Sequence, residues 1–67
     1  MMSKAREVIG GSVRKFRLKL DLTQEQAAAL CEMDVRIYGK VERGVENYQV
    51  KTLEKVLEGL GMIRKDF

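Results

Sequence analysis

The 67-residue sequence predicts an all-α fold, a compact bundle of four to five helices, and three observations carry that prediction. Apolar residues recur at steps of three and four through most of the chain, the spacing of an amphipathic helix. Proline is absent and aromatic residues make up 6%, so nothing in the composition resists helix formation. Start and stop residues fall at the ends of the periodic segments, with Thr23 and Asp34 opening two of them and Gly44 and Gly61 closing two. The length allows one domain, residues 1–67, with a core that removes only ~60% of the unfolded chain's surface from water.

In the first helix Ala5, Ile9, Val13, Phe16 and Leu20 form the apolar stripe, and Ser3 can cap its start. Gly10 and Gly11 interrupt it, each at about 1 kcal/mol relative to alanine, which implies fraying there or a start near Ser12. Asp21 closes the segment and Leu22 packs the turn. Thr23-Gln24-Glu25-Gln26 reads as a capping box, in which the Thr23 hydroxyl accepts from the Gln26 amide and the Gln26 side chain reaches back. The helix it opens spans about residues 24–31. After a turn of about three residues, Asp34 caps a helix over about residues 35–42, with Tyr38 and Val41 facing inward and Gly44 at its end. Residues Val45 to Tyr48 read as a loop. Val50, Leu53, Val56, Leu57 and Leu60 then mark a fourth helix stopped by Gly61. Residues 62–67 have no helical pattern and are a candidate dimerisation tail, as a strand paired across a two-fold axis or as a disordered end.

Composition excludes several classes. Cys31 is the only cysteine and histidine is absent, so neither an internal disulfide nor a structural zinc site is expected. With no histidine base, no metal-ligand cluster and no phosphate-cradling glycine loop, the sequence does not read as an enzyme, and no cofactor is expected. No apolar run reaches the ~18 residues of a membrane span and no leader precedes the polar start, so a cytoplasmic protein is expected. The net charge of +3 is unevenly spread. Residues 1–20 carry six Lys/Arg against one Glu, and residues 21–67 carry seven against nine Asp/Glu. That asymmetry suits docking on a polyanion, or simply a solvated, highly charged first helix.

Two short helices joined by a three-residue turn, the second opened by an N-cap, match the helix-turn-helix geometry. The residues go further than the pattern. Val13-Arg14-Lys15-Phe16-Arg17, then Leu22-Thr23-Gln24-Glu25-Gln26-Ala27-Ala28, then Val41-Glu42-Arg43-Gly44, closely resemble the Cro/CI-type (xenobiotic-response-element) helix-turn-helix family, over about residues 9–62. The resemblance implies a lambda-repressor-like fold and a repressor or repressor-activator that binds double-stranded DNA. It implies that the third helix lies in the major groove, with Val35, Arg36 and Lys40 facing base edges. Arg36 is the first candidate for bidentate readout of guanine, and Val35 for contact with a thymine methyl. Gln24, Arg43 and Asn47 would hold phosphates, Gln24 together with a helix N-terminus. Without the resemblance, Arg36 and Lys40 would read as a solvated face and Arg43 as cover for a helix end. Arg17 and Glu42 are implied to form a partly buried structural ion pair, against the alternative of two independent surface charges.

Some positions depart from the family pattern. Ala27 stands where leucine is usual and Tyr38 where isoleucine or valine is usual, so the larger Tyr38 is expected to fill the volume Ala27 leaves. Glu32 replaces the usual turn glycine, which implies a different backbone conformation there. Glu46 puts a negative charge in a loop expected near phosphate. Gly39 weakens its helix while permitting close approach to DNA, and Cys31 reads as a core residue. A small core and a single recognition helix both favour a homodimer on a palindromic, autoregulatory operator. A chain of this size suits a phage repressor, a restriction-modification controller or the antitoxin partner of a toxin, the controller being preferred. The rival from another class is a helical module whose main partner is a protein.

Overall fold

In a computed structural model, residues 4–45 and 48–64 are described. They form four helices: α1 (Lys4–Lys19), α2 (Gln24–Leu30), α3 (Val35–Arg43) and α4 (Val50–Gly59). The all-α bundle expected from periodicity is the one observed. Ser3, Glu46, Asn47 and the last three residues of the 62–67 tail lie outside the described residues.

α1 runs unbroken through Gly10 and Gly11, contrary to the expected fraying or late start. Packing supplies the reason. Gly10 is buried where α1 crosses the end of α3, and a Cβ there would stand 2.4 Å from the Val41 carbonyl oxygen and 2.6 Å from that of Glu42. Gly11 looks away, with nothing within 4 Å of its would-be Cβ. The buried stripe of α1 is therefore Gly10, Val13 and Arg17, not the stripe centred on the larger apolar residues. Ile9 and Phe16 are half-buried at its flanks, and Leu20, just past the helix, is 44% exposed.

α2 and α3 begin as their sequences predict. Gln26 N donates to Thr23 Oγ1 at 3.1 Å and Thr23 N to Gln26 Oε1 at 2.9 Å, a complete capping box. Arg36 N donates to Asp34 Oδ1 at 2.7 Å. Both helices pack with α1 and α4 around Val13, Ala27, Ala28, Cys31, Tyr38, Val41, Tyr48, Val56 and Leu60. Ala27 and Tyr38 are both fully buried in this cluster, consistent with a large residue offsetting a small one. Burial pushes the Cys31 thiol up, which keeps it protonated and inert. Val50, expected on the apolar face of α4, is 65% exposed at the helix start.

All four helices stop by the same backbone device, the paired 6→1 and 5→2 hydrogen bonds that satisfy the last carbonyls. Leu22 N donates to Arg17 O and Asp21 N to Leu18 O; Met33 N donates to Ala28 O and Glu32 N to Ala29 O. Val45 N with Gly44 N, and Met62 N with Gly61 N, complete the set on α3 and α4. The device needs one residue with positive φ: Asp21 at 60°, Glu32 at 56°, Gly44 at 73° and Gly61 at 80°. Glu32 thus does not change the turn conformation, as its sequence position suggested; it adopts the left-handed one at a steric cost. Asp tolerates that region through its short polar side chain, whereas Glu does not. Glu32→Gly is accordingly expected to stabilise the fold by about 0.5–1 kcal/mol, part of the steric relief being offset by the freer unfolded chain. A thermal melt should show a higher midpoint; an unchanged or lower one would mean that Glu32 carries no strain.

Candidate nucleic-acid interface

A buried polar hub sets the position of α3. Arg17 Nε lies 2.7 Å from Glu42 Oε2, with side chains only 9% and 3% exposed. A second bond runs from Arg17 Nη2 to Glu42 Oε1 at 3.3 Å, and Arg17 Nη1 donates to the Leu22 carbonyl at 2.8 Å. Gln24 Nε2 donates to Glu42 Oε1 at 3.0 Å. One carboxylate near the end of α3 thereby ties α1, the α1–α2 turn and the first residue of α2 together. Burial alone would raise the Glu42 pKa, but the hydrogen bond from Arg17, then the nearby Tyr38 hydroxyl and the hydrogen bond from Gln24, outweigh it and hold the carboxyl below the ordinary glutamate value. The hydrogen bond to Glu42 likewise pushes the Arg17 guanidinium up. The Tyr38 hydroxyl is buried without a well-formed hydrogen bond. Burial first, and the Glu42 carboxylate second, hold it neutral and well above the ordinary tyrosine range. Its relation to Glu42 is an electrostatic contact rather than a bond of full geometry.

With one side of α3 fixed, the helical period decides what the other side presents. Tyr38, Val41 and Glu42 are buried. At 3.6 residues per turn, Arg36, Lys40 and Arg43 fall on the opposite stripe. Arg36 and Arg43 are exposed and Lys40 is half-exposed. The Arg36 guanidinium folds back on the N-cap, with Nε 3.2 Å from Asp34 Oδ1 and Nη2 3.3 Å from Asp34 Oδ2. That hydrogen bond, more than any other influence, holds the Asp34 carboxyl below its ordinary value.

The residues expected to contact DNA are placed as follows. Arg36, Lys40 and Arg43 share the outward face of α3, and Gln24 adjoins it through Glu42. Val35 is half-buried and packs against the core, so its methyls are only partly available. Ile37, which sequence reasoning passed over, is 41% exposed and is the apolar side chain α3 offers outward. On the helical wheel it lies one turn before Val41 and beside Lys40, at the border of the buried and outward faces, so spacing alone gave only a weak signal for it. Gly39 is covered by Arg43, whose Nη1 would sit 3.1 Å from a Cβ at that position. In the loop expected near phosphate, the Val45 amide donates to the Lys40 carbonyl at 3.3 Å. Among the described residues no group of His, Cys, Asp or Glu could hold a metal ion, and no helix is long and apolar enough to cross a membrane.

A family model described as "Helix-turn-helix" matches residues 13–66, most of the chain. The control protein C.BamHI of Bacillus amyloliquefaciens is 33% identical over 67 residues, covering 98% of this chain and 83% of its own length. The control protein C.MunI of a Mycoplasma species is 39% identical over 54 residues, covering 79% and 73%. The fold is also similar to the crystal structure of a point mutant of the restriction-modification controller protein C.Esp1396I. That match has a TM-score of 0.77 at 30% identity and covers 91% of this chain and 77% of that one. The chain belongs to the helix-turn-helix family, of the Cro/CI type its motifs resemble.

Proposed function

We propose that this helix-turn-helix protein is a sequence-specific transcriptional regulator that binds a palindromic operator as a homodimer and controls a restriction-modification system. The observation that carries the reading is the outward stripe of α3, where Arg36, Lys40 and Arg43 stand opposite a buried Tyr38, Val41 and Glu42. A helix held so rigidly on one side and so basic on the other suits insertion into a major groove. In this reading Arg36 bonds guanine O6 and N7, Lys40 reaches a base edge one turn on, and Val35 shares thymine-methyl contact with Ile37. Arg43 and Asn47 hold phosphates. Gln24 has one amide hydrogen on Glu42 and a second to give to a phosphate at the start of α2.

The homodimer is supported by the size of the core and by a mainly apolar groove lined by Phe16, Leu20 and Met62 together with Ser12, Lys15 and Lys19, with the neighbouring Ile63 41% exposed. Residues 62–67 would then lie at the interface. Two copies double the bases read and match a two-fold operator. The relatives named as controllers favour that role over an antitoxin or a phage repressor, and autoregulation is part of the same proposal.

Arg36→Ala tests the assignment on a duplex that the wild-type protein enriches from a randomised pool. The expected loss is about 1–3 kcal/mol per half-site, confined to duplexes bearing the preferred base at one position. An equal loss on every sequence would make Arg36 a phosphate contact instead.

A further inference from the structure

We propose that Asp34 is a specificity-determining residue of the DNA interface: it holds the Arg36 guanidinium in the orientation that reads guanine. The inference rests on the assignment of Arg36 to base readout. Asp34 makes two kinds of bond at once. Its Oδ1 accepts the Arg36 backbone amide at 2.7 Å, which fixes the carboxylate to the first turn of α3. The same carboxylate takes Nε at 3.2 Å and Nη2 at 3.3 Å. The Arg36 side chain is 88% exposed, and among the described residues its guanidinium meets Asp34 alone. Without that clamp, a solvated arginine of many rotamers would sample phosphates as readily as bases.

The clamp also selects which edge is offered. A guanidinium has five N–H donors in a rigid plane, and Asp34 uses the Nε–Nη2 edge. The remaining edge, formed by Nη1 and the outer hydrogen of Nη2, presents two parallel donors at the spacing guanine O6 and N7 require. Asp34 carries a negative charge beside a polyanion, so it weakens sequence-independent attraction while sharpening readout. These two effects have opposite signs, and capping alone produces neither pattern.

Asn and Ser are good N-caps, so Asp34→Asn and Asp34→Ser keep the helix start while removing the carboxylate. Anisotropy titrations of the full chain would use the enriched duplex, the same duplex with the guanine replaced by adenine, and a scrambled duplex. Thermal melts alongside verify folding. For both variants the guanine-over-adenine preference should fall about tenfold, within the range a bidentate contact supplies, and scrambled-duplex affinity should rise about two- to threefold. Arg36→Ala should lower the preference equally, and adding Asp34→Asn to it should lower it no further. Retained preference in both Asp34 variants, with loss in Arg36→Ala, would overturn the proposal and leave Asp34 as a cap only. Retained preference in Arg36→Ala would overturn the base-readout assignment, and the proposal with it.

Discussion

Gly10→Ala is expected to destabilise the fold by about 2–3 kcal/mol, while Gly11→Ala, one residue on, stabilises it by up to about 1 kcal/mol. Both substitutions gain the same helix propensity, so the difference between them isolates packing. At Gly10 the new methyl meets two backbone carbonyls of α3, at 2.4 and 2.6 Å, and backbone cannot rotate aside as a side chain would. The helices must part, which also loosens the Arg17–Glu42 pair two turns along the same seam. At Gly11 the methyl points into open space. In a domain this small, each kcal/mol moves the thermal midpoint by about 4–8 °C, so the two variants should separate clearly on either side of wild type. A Gly10→Ala midpoint equal to wild type would mean that α1 and α3 do not cross this closely.

Arg17→Met is expected to cost about 3–5 kcal/mol, because it strands a buried carboxylate whose remaining donor is Gln24. Glu42→Gln should cost a comparable amount by leaving the Arg17 charge buried beside neutral groups. The double variant Arg17→Met/Glu42→Met should recover much of the loss, since replacing both ions leaves neither unpaired. Full additivity of the Arg17→Met and Glu42→Met single losses in that double variant would show that the side chains act independently. The pair also sets an acid limit. Glu42 has a folded pKa below its unfolded value, so between the two values the unfolded chain binds more protons. The stabilisation is complete above the unfolded glutamate value and is lost as pH falls through the folded one. Wild type should therefore lose stability more steeply than Glu42→Gln on acidification below about pH 4.5. Parallel loss in the two proteins would remove Glu42 from the acid transition.

The helix starts were legible because they are local: Thr23 with Gln26, and Asp34 with the following amides, form their bonds within three residues. The ends at Gly44 and Gly61 were legible for the same reason, since positive φ favours glycine. Glu32 misled because the backbone motif prevailed over the residue's own preference. Gly10 misled more fully. Propensity assigns it a cost, and only the approach of α3, more than thirty residues away in sequence, explains its place. Leu20 and Val50 fit a helical period yet sit at segment ends, where the period no longer guarantees a neighbour. At the candidate site, the outward placement of Arg36, Lys40 and Arg43 followed from the inward placement of Tyr38 and Val41. The half-burial of Val35 and the Asp34 clamp on Arg36 depend on tertiary packing and on a rotamer, neither of which spacing encodes.

The most direct test of the account is an anisotropy titration of the protein against DNA from upstream of its own gene and against a scrambled duplex, across a salt series. The account predicts preference for the upstream DNA, a dimer-dependent isotherm, and log affinity that falls linearly with log salt. Absence of binding to either duplex at low salt would contradict it and make a protein-binding module the better description.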